Sequence, residues 1–216
     1  MRMLGIVAGL LAAVGAVSPA FASPPVSPVS DAARAAGLVD VRTVVPEAVI
    51  DLRYATANNF VGAPLYPADA RCLVHESMAP GLAAAAAVLR PKGEVLMFWD
   101  CYRPHDVQVR MFEAAPDPNW VARPGPYSRS HEAGRSVDVT IANADGPVDM
   151  GTDFDDFTAR ALAYATDGVS PAAQANRARL RDAMKAGGLT VYQGEWWHFD
   201  TSDAYEKRPI LNAPVN

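Results

Sequence analysis

The 216 residues contain four histidines, at positions 75, 105, 131 and 198, and two of them stand among residues equipped for metal chemistry. His131 lies in Ser130-His131-Glu132-Ala133-Gly134-Arg135, shortly before Asp138, and His198 closes the run Gly194-Glu195-Trp196-Trp197-His198. Two imidazoles and a carboxylate make up the ligand set of a catalytic zinc site, which keeps a fourth position for water. The spacing restricts how they could meet. On a continuous strand, His131 and Asp138 would face opposite ways, so the chain must turn at Gly134 to bring them together. Glu195 and His198 are three apart, which suits a helical turn and not a regular strand, so a bend is needed near Gly194. Each residue also has an ordinary reading: a solvated loop histidine, a locally pairing Asp138, a Trp196-Trp197 pair that belongs to the core. His75, in a loop after Cys72, and His105, at the start of a helix, read as surface or capping residues.

The elements that must position these groups are legible as patterns. Over 136–141, Ser136, Asp138 and Thr140 alternate with Val137, Val139 and Ile141, which predicts a strand with Asp138 pointing away from its apolar face. Residues 94–99 form an apolar strand ending in Asp100-Cys101-Tyr102-Arg103, and Pro104 then suits the first turn of a helix reaching about residue 114. Polar residues at such a strand-to-helix corner are held by a rigid scaffold yet remain accessible. A further strand is expected over 48–53, before an irregular stretch over 55–70. Helices are expected over 78–89, 154–165 and 171–186, the last stopped by Gly187-Gly188, and a final strand over 189–192. Strands mixed irregularly with helices, with no internal repeat, predict an α+β fold: one domain with a mainly antiparallel sheet flanked by helices.

Residues 1–22 carry Arg2, an apolar run and an A-x-A ending at Ala22, the pattern of a cleaved secretory signal peptide. Residues 23–31, with Pro24, Pro25 and Pro28, read as a flexible leader, and 32–216 as the folded domain. No later stretch is apolar enough to span a bilayer, so no membrane span is expected after signal removal. The formal charge of −5 becomes −6 without Arg2, 18 basic residues against 24 acidic, which disfavours nucleic acid as a partner. Export to an oxidising compartment makes a Cys72–Cys101 disulfide the first expectation, with two separate buried thiols as the alternative.

Ser130-His131-x2-Gly134-x3-Asp138 together with Glu195-Trp196-Trp197-His198 resembles the signature of the D-alanyl-D-alanine dipeptidase family, which is related to D-alanyl-D-alanine carboxypeptidases and the hedgehog fold. Arg53-Tyr54-Ala55-Thr56, Trp99-Asp100-x-Tyr102-Arg103-Pro104, Met150-Gly151 with Phe154-Asp155, and Asn176-Arg177-x-Arg179 extend the likeness over about residues 45 to 200. The resemblance implies one zinc ion on His131, Asp138 and His198, with Glu195 as general base and Arg103 beside the scissile carbonyl. It places Tyr54 and Asp155 near the amino group of a small D,D-dipeptide and Ser130 near its carboxylate. Asp100 and Tyr102 are either supports for this site or simply the end of the strand. The implied reaction is hydrolysis of D-Ala-D-Ala in peptidoglycan turnover. A carboxypeptidase acting on longer wall peptides, or a non-catalytic wall-binding module, are the alternatives.

Overall fold

The computed structural model describes residues 26–216, so the expected signal peptide and the start of the leader lie outside the described residues. Its central element is β5, Ser136–Asn143, buried along almost its whole length. β5 pairs antiparallel with β4, Val95–Asp100, on one side and with β8, His198–Asp200, on the other. β2, Val49–Ile50, extends the sheet beyond β4 in parallel, β7, Thr190–Val191, extends it beyond β8, and β6, Gly146–Pro147, pairs with the end of β5. A separate two-stranded sheet joins β1, Leu38–Asp40, to β3, Leu73–His75. The fold is α+β, as the mixed pattern predicts.

The alternation in β5 sorts its side chains. Val137, Val139 and Ile141 face the core together with their neighbours Phe199, Phe98 and Leu96, all fully buried. α2, Ala79–Leu89, and α4, Pro171–Ala186, pack against each other, and both contribute fully buried leucines to the same core. α1, Asp31–Ala35, is short and capped by Ser30. α3, His105–Ala114, follows the strand corner with Pro104 as its N-cap, one step earlier than the expected first helical position. The leader is engaged at its end, where Arg71 donates to the carbonyls of Ser27 and Pro28 at 2.7 and 3.0 Å.

Two expectations need correction. The strand over 48–53 shrinks to two residues, because Arg53–Ala55 turn into a 3-10 helix. The helix expected over 154–165 is absent: the segment is a series of turns with one 3-10 turn, Ala159–Ala161. Asp155 adopts a left-handed conformation at φ 56°, and tertiary partners take the carbonyls a helix would use. Arg177 donates to Arg160 O and Leu162 O, Arg181 to Ala163 O, and the Trp196 amide to Ala161 O. Propensity loses there to buried donors that must be satisfied.

Candidate metal centre and active site

The site is assembled across three neighbouring strands. Asp138 in β5 stands directly opposite His198 in β8 and opposite Asp100 in β4. The second pairing requires a bulge: between Phe98 and Asp100 the register slips by one residue. Without it, Asp100 would face the core side beside Val137. With it, Asp100 shares a face with Asp138. The alternation predicts Asp138's direction correctly, but that face is buried too, leaving Asp138 only 3% exposed.

His131 reaches the sheet through a 3-10 turn, Ser130–Ala133, closed by Gly134 at φ 64° with its amide donating to His131 O. The turn is tied down on both sides: the Arg103 amide donates to His131 O, and the His75 amide to Gly134 O. A Cβ at Gly134 would sit 2.7 Å from Leu38 Cδ2 and 3.1 Å from the His75 nitrogen, so the position demands glycine on two counts. At the other end, consecutive turns over 192–197 bring Glu195 and His198 to one side; the His198 amide donates to Glu195 O, and Tyr192 and His198 bond across the bend.

His131 Nε2, His198 Nδ1 and Asp138 Oδ1 form a triangle with sides of 3.1, 3.1 and 3.3 Å. Tetrahedral ligands held about 2.0–2.1 Å from zinc lie about 3.3 Å apart, so the triangle has the required size. Proton placement makes the stronger argument. The His131 Nδ1–H donates to Cys101 O at 2.8 Å and the His198 Nε2–H to Asp200 Oδ1 at 2.9 Å, which leaves a lone pair on each inner nitrogen. With both rings neutral, three acceptors converge within 3.3 Å of one another, and a cation satisfies all of them. The residues fit a zinc ion.

Glu195 flanks this triangle, with Oε2 3.7 Å from His198 Nδ1 and its side chain 12% exposed. Burial pushes its carboxyl up to about 7, with His198 opposing the shift. Arg103 meets the triangle at Asp138. Its guanidinium is locked by two bonds to Asp100 Oδ2, at 2.9 and 2.6 Å, and one to Gln108 Oε1 at 2.7 Å, and it lies 3.8 Å from Asp138 Oδ2. Asp100 also accepts from Tyr66, so its role is to fix Arg103 and not merely to end a strand. Tyr102 does not line the site: its hydroxyl donates to Leu211 O in the C-terminal segment. It anchors that segment and supports no site residue directly.

Tyr54 and Asp155 meet at the cavity, the phenol donating to Asp155 Oδ2 at 2.8 Å. Burial raises the Asp155 carboxyl well above its ordinary value, and the neighbouring Asp138 and Glu195 push the same way. A buried acid whose side-chain partner is a phenol and not a cation is a natural seat for an ammonium group. Ser130 lines the same cavity at φ 51°, a strained conformation for a non-glycine residue. Phe60, Phe157 and Trp120 form an aromatic wall, with Phe157 5.2 Å from Phe60 and 5.4 Å from Trp120, centroid to centroid.

His75 caps a 3-10 turn by accepting from the Ser77 amide, as expected. His105 is not a surface residue: it is largely covered and meets Glu132 Oε1 at 2.6 Å, holding a carboxylate at the cavity wall. Sequence reasoning missed Asp200, Gln108 and Glu132. Asp200, two residues after a candidate ligand, was the one within reach of pattern reading. The expected disulfide is present between Cys72 and Cys101 and lies immediately beneath the carbonyl that orients His131.

Fold and site together define a metallopeptidase: a histidine-aspartate-histidine cluster on a sheet, an acid beside it and a cavity in front. Residues 34–216 match the D-ala-D-ala dipeptidase family of peptidases, and the chain belongs to that family. It is 37% identical to a D-alanyl-D-alanine dipeptidase of Escherichia coli K12, over 77% of this chain and 86% of that one. It is 30% identical to the D-alanyl-D-alanine dipeptidase of Enterococcus faecium, over 76% of this chain and 91% of that one. A Zn(II) complex of the vancomycin-resistance D,D-pentapeptidase VanY superposes with a TM-score of 0.38 at 16% identity, over 63% of this chain and 82% of that one.

Proposed function

We propose that this chain hydrolyses the free dipeptide D-Ala-D-Ala at a single zinc ion held by His131, Asp138 and His198. The observation that carries the reading is the convergence of His131, Asp138 and His198 ligand atoms beside a buried glutamate. When bound, zinc supplies Lewis acidity toward the scissile carbonyl and lowers the pKa of a water. Glu195 takes the water's proton and passes it to the leaving amine, a task suited to a carboxylate whose pKa lies near neutrality. Arg103, immobilised by Asp100 and Gln108, presents its charge where the carbonyl oxygen becomes negative. Asp155, supported by the Tyr54 hydroxyl, receives the substrate's ammonium group and thereby asks for a free amine.

Metal analysis, followed by assay on D-Ala-D-Ala with chelator and zinc add-back, tests this reading. Activity indifferent to metal removal would end it. Trimming of longer wall peptides requires a site that accepts an acylated amine, whereas the Tyr54–Asp155 pair favours a charged one. The free dipeptide should therefore outcompete its N-acetyl derivative, and the reverse preference would support the carboxypeptidase alternative. The pattern of residues 1–22 supports export, which suits recovery of wall-derived dipeptide outside the cytoplasm. Fractionation of producing cells would refute that if the protein stayed full-length in the cytoplasm.

A further inference from the structure

The hydrogens around Ser130 run in one direction. Asp200 Oδ1 accepts from His198 Nε2 at 2.9 Å and from the Ser136 hydroxyl, while Asp200 Oδ2 accepts from the Tyr205 hydroxyl at 2.9 Å. Ser136 has one hydroxyl hydrogen, and a carboxylate has none to give, so that hydrogen belongs to Asp200. Ser136 and Ser130 lie 2.8 Å apart, oxygen to oxygen, and Ser130 must therefore be the donor. The Ser130 amide is also turned inward, donating to Ala204 O at 2.7 Å. Toward the cavity, Ser130 offers lone pairs, which a carboxylate avoids.

The same cavity holds cations with no acid of their own. Arg123 and Arg129 both line it, and among the described residues neither side chain forms an ion pair or a hydrogen bond. Arg123 lies over the Phe112 ring at 5.0 Å and is exposed, whereas Arg129 lies over Tyr127 at 5.8 Å and is partly buried, next to Ser130 in the chain. The other acid nearby, Glu132, already has His105 as its partner. The cavity lining thus carries an acid, Asp155, whose side-chain partner is the Tyr54 phenol, and a cation, Arg129, that forms no ion pair among the described residues.

We propose that Arg129 anchors the terminal carboxylate of the dipeptide, while Ser130 is a positioning residue that holds Ser136 and Asp200 and, through them, the His198 ring. The inference rests on the dipeptidase reading and adds the origin of its preference for a free C-terminus. The test compares D-Ala-D-Ala with its C-terminal amide in the zinc-loaded wild type, Arg129→Gln, Arg129→Lys and Ser130→Ala proteins, and measures zinc affinity by chelator competition. The wild type should show the lower KM for the acid. Arg129→Gln should raise that KM about tenfold or more, as loss of a charge-assisted bond implies, so that the acid and amide values converge. Arg129→Lys should keep part of the preference. Ser130→Ala should keep the whole preference, lower kcat on both compounds by the same factor, and weaken zinc binding by about tenfold. An unchanged preference in Arg129→Gln overturns the inference, as does a lost preference with unchanged zinc affinity in Ser130→Ala. A zinc-loaded wild type that fails to cleave the dipeptide at all instead removes the dipeptidase reading, and this inference with it.

Discussion

At the scale of single residues, the site divides its work between groups that hold and groups that react. His131 and His198 each spend one ring nitrogen on an orienting acceptor, Cys101 O and Asp200, and keep the other free. Glu195 touches the triangle without belonging to it. Glu195→Gln should consequently retain stoichiometric zinc while kcat falls by about two to four orders of magnitude, the range for a lost general base. Zinc analysis and kcat on the same preparation check this, and an active, zinc-loaded variant would take Glu195 out of the mechanism. Arg103 is held by three hydrogen bonds, so its charge is aimed before substrate arrives. Arg103→Ala should cost about 3 kcal/mol of transition-state stabilisation, read as a fall of about a hundredfold in kcat. A near-normal rate in a folded variant would refute the assignment.

At the scale of elements, three local distortions convert an ordinary antiparallel sheet into a metal site. The β4 bulge sets Asp100 beside Asp138, the Gly134 turn folds His131 back, and the bends over 192–197 bring Glu195 alongside His198. Gly134→Ala meets both a positive φ and the neighbouring Leu38 and His75 atoms. It should destabilise the protein by about 1–3 kcal/mol and weaken zinc binding together, measurable by thermal unfolding and metal competition. Unchanged values for both would show that the turn tolerates a side chain. The Cys72–Cys101 bridge closes a loop of 29 residues beneath His131. Replacing both cysteines by serine should cost about 3–4 kcal/mol in the chain-entropy account, seen as a lower denaturant midpoint. Equal midpoints for the oxidised wild type and the variant would count against it.

At the scale of the whole molecule, the N-terminal segments are pinned to the body through Asp40. Its carboxylate is buried and accepts from Arg42 and from Arg71, the residue that also holds the Ser27 and Pro28 carbonyls. Burial alone would raise Asp40, but the two arginines outweigh it and hold the group below its ordinary 3.8. A depressed folded pKa gives stability that is fully present above the unfolded value and lost as pH falls through the folded one. The stability difference between wild type and Asp40→Asn should therefore be constant from about pH 5 upward and shrink below about pH 4. A difference that grew on acidification would contradict this sign.

The sequence by itself determined the ligand types, the alternation of β5 and the need for turns at Gly134 and near Gly194, because these follow from side-chain chemistry and the two-residue period of a strand. It also supplied the motifs through which the family is recognisable. It could not place Asp100, since a bulge is a property of two paired strands and β4 alone reads as regular. Nor could it see that residues 154–165 avoid a helix, because Arg177, Arg181 and the Trp196 amide arrive from distant positions to claim their carbonyls. The partners of Tyr102 and His105 are tertiary for the same reason: which partner a polar side chain finds depends on neighbours up to 109 positions away in the chain. The direction of hydrogens from Ser130 to His198 is likewise tertiary, for it exists only where β5 and β8 are brought into register.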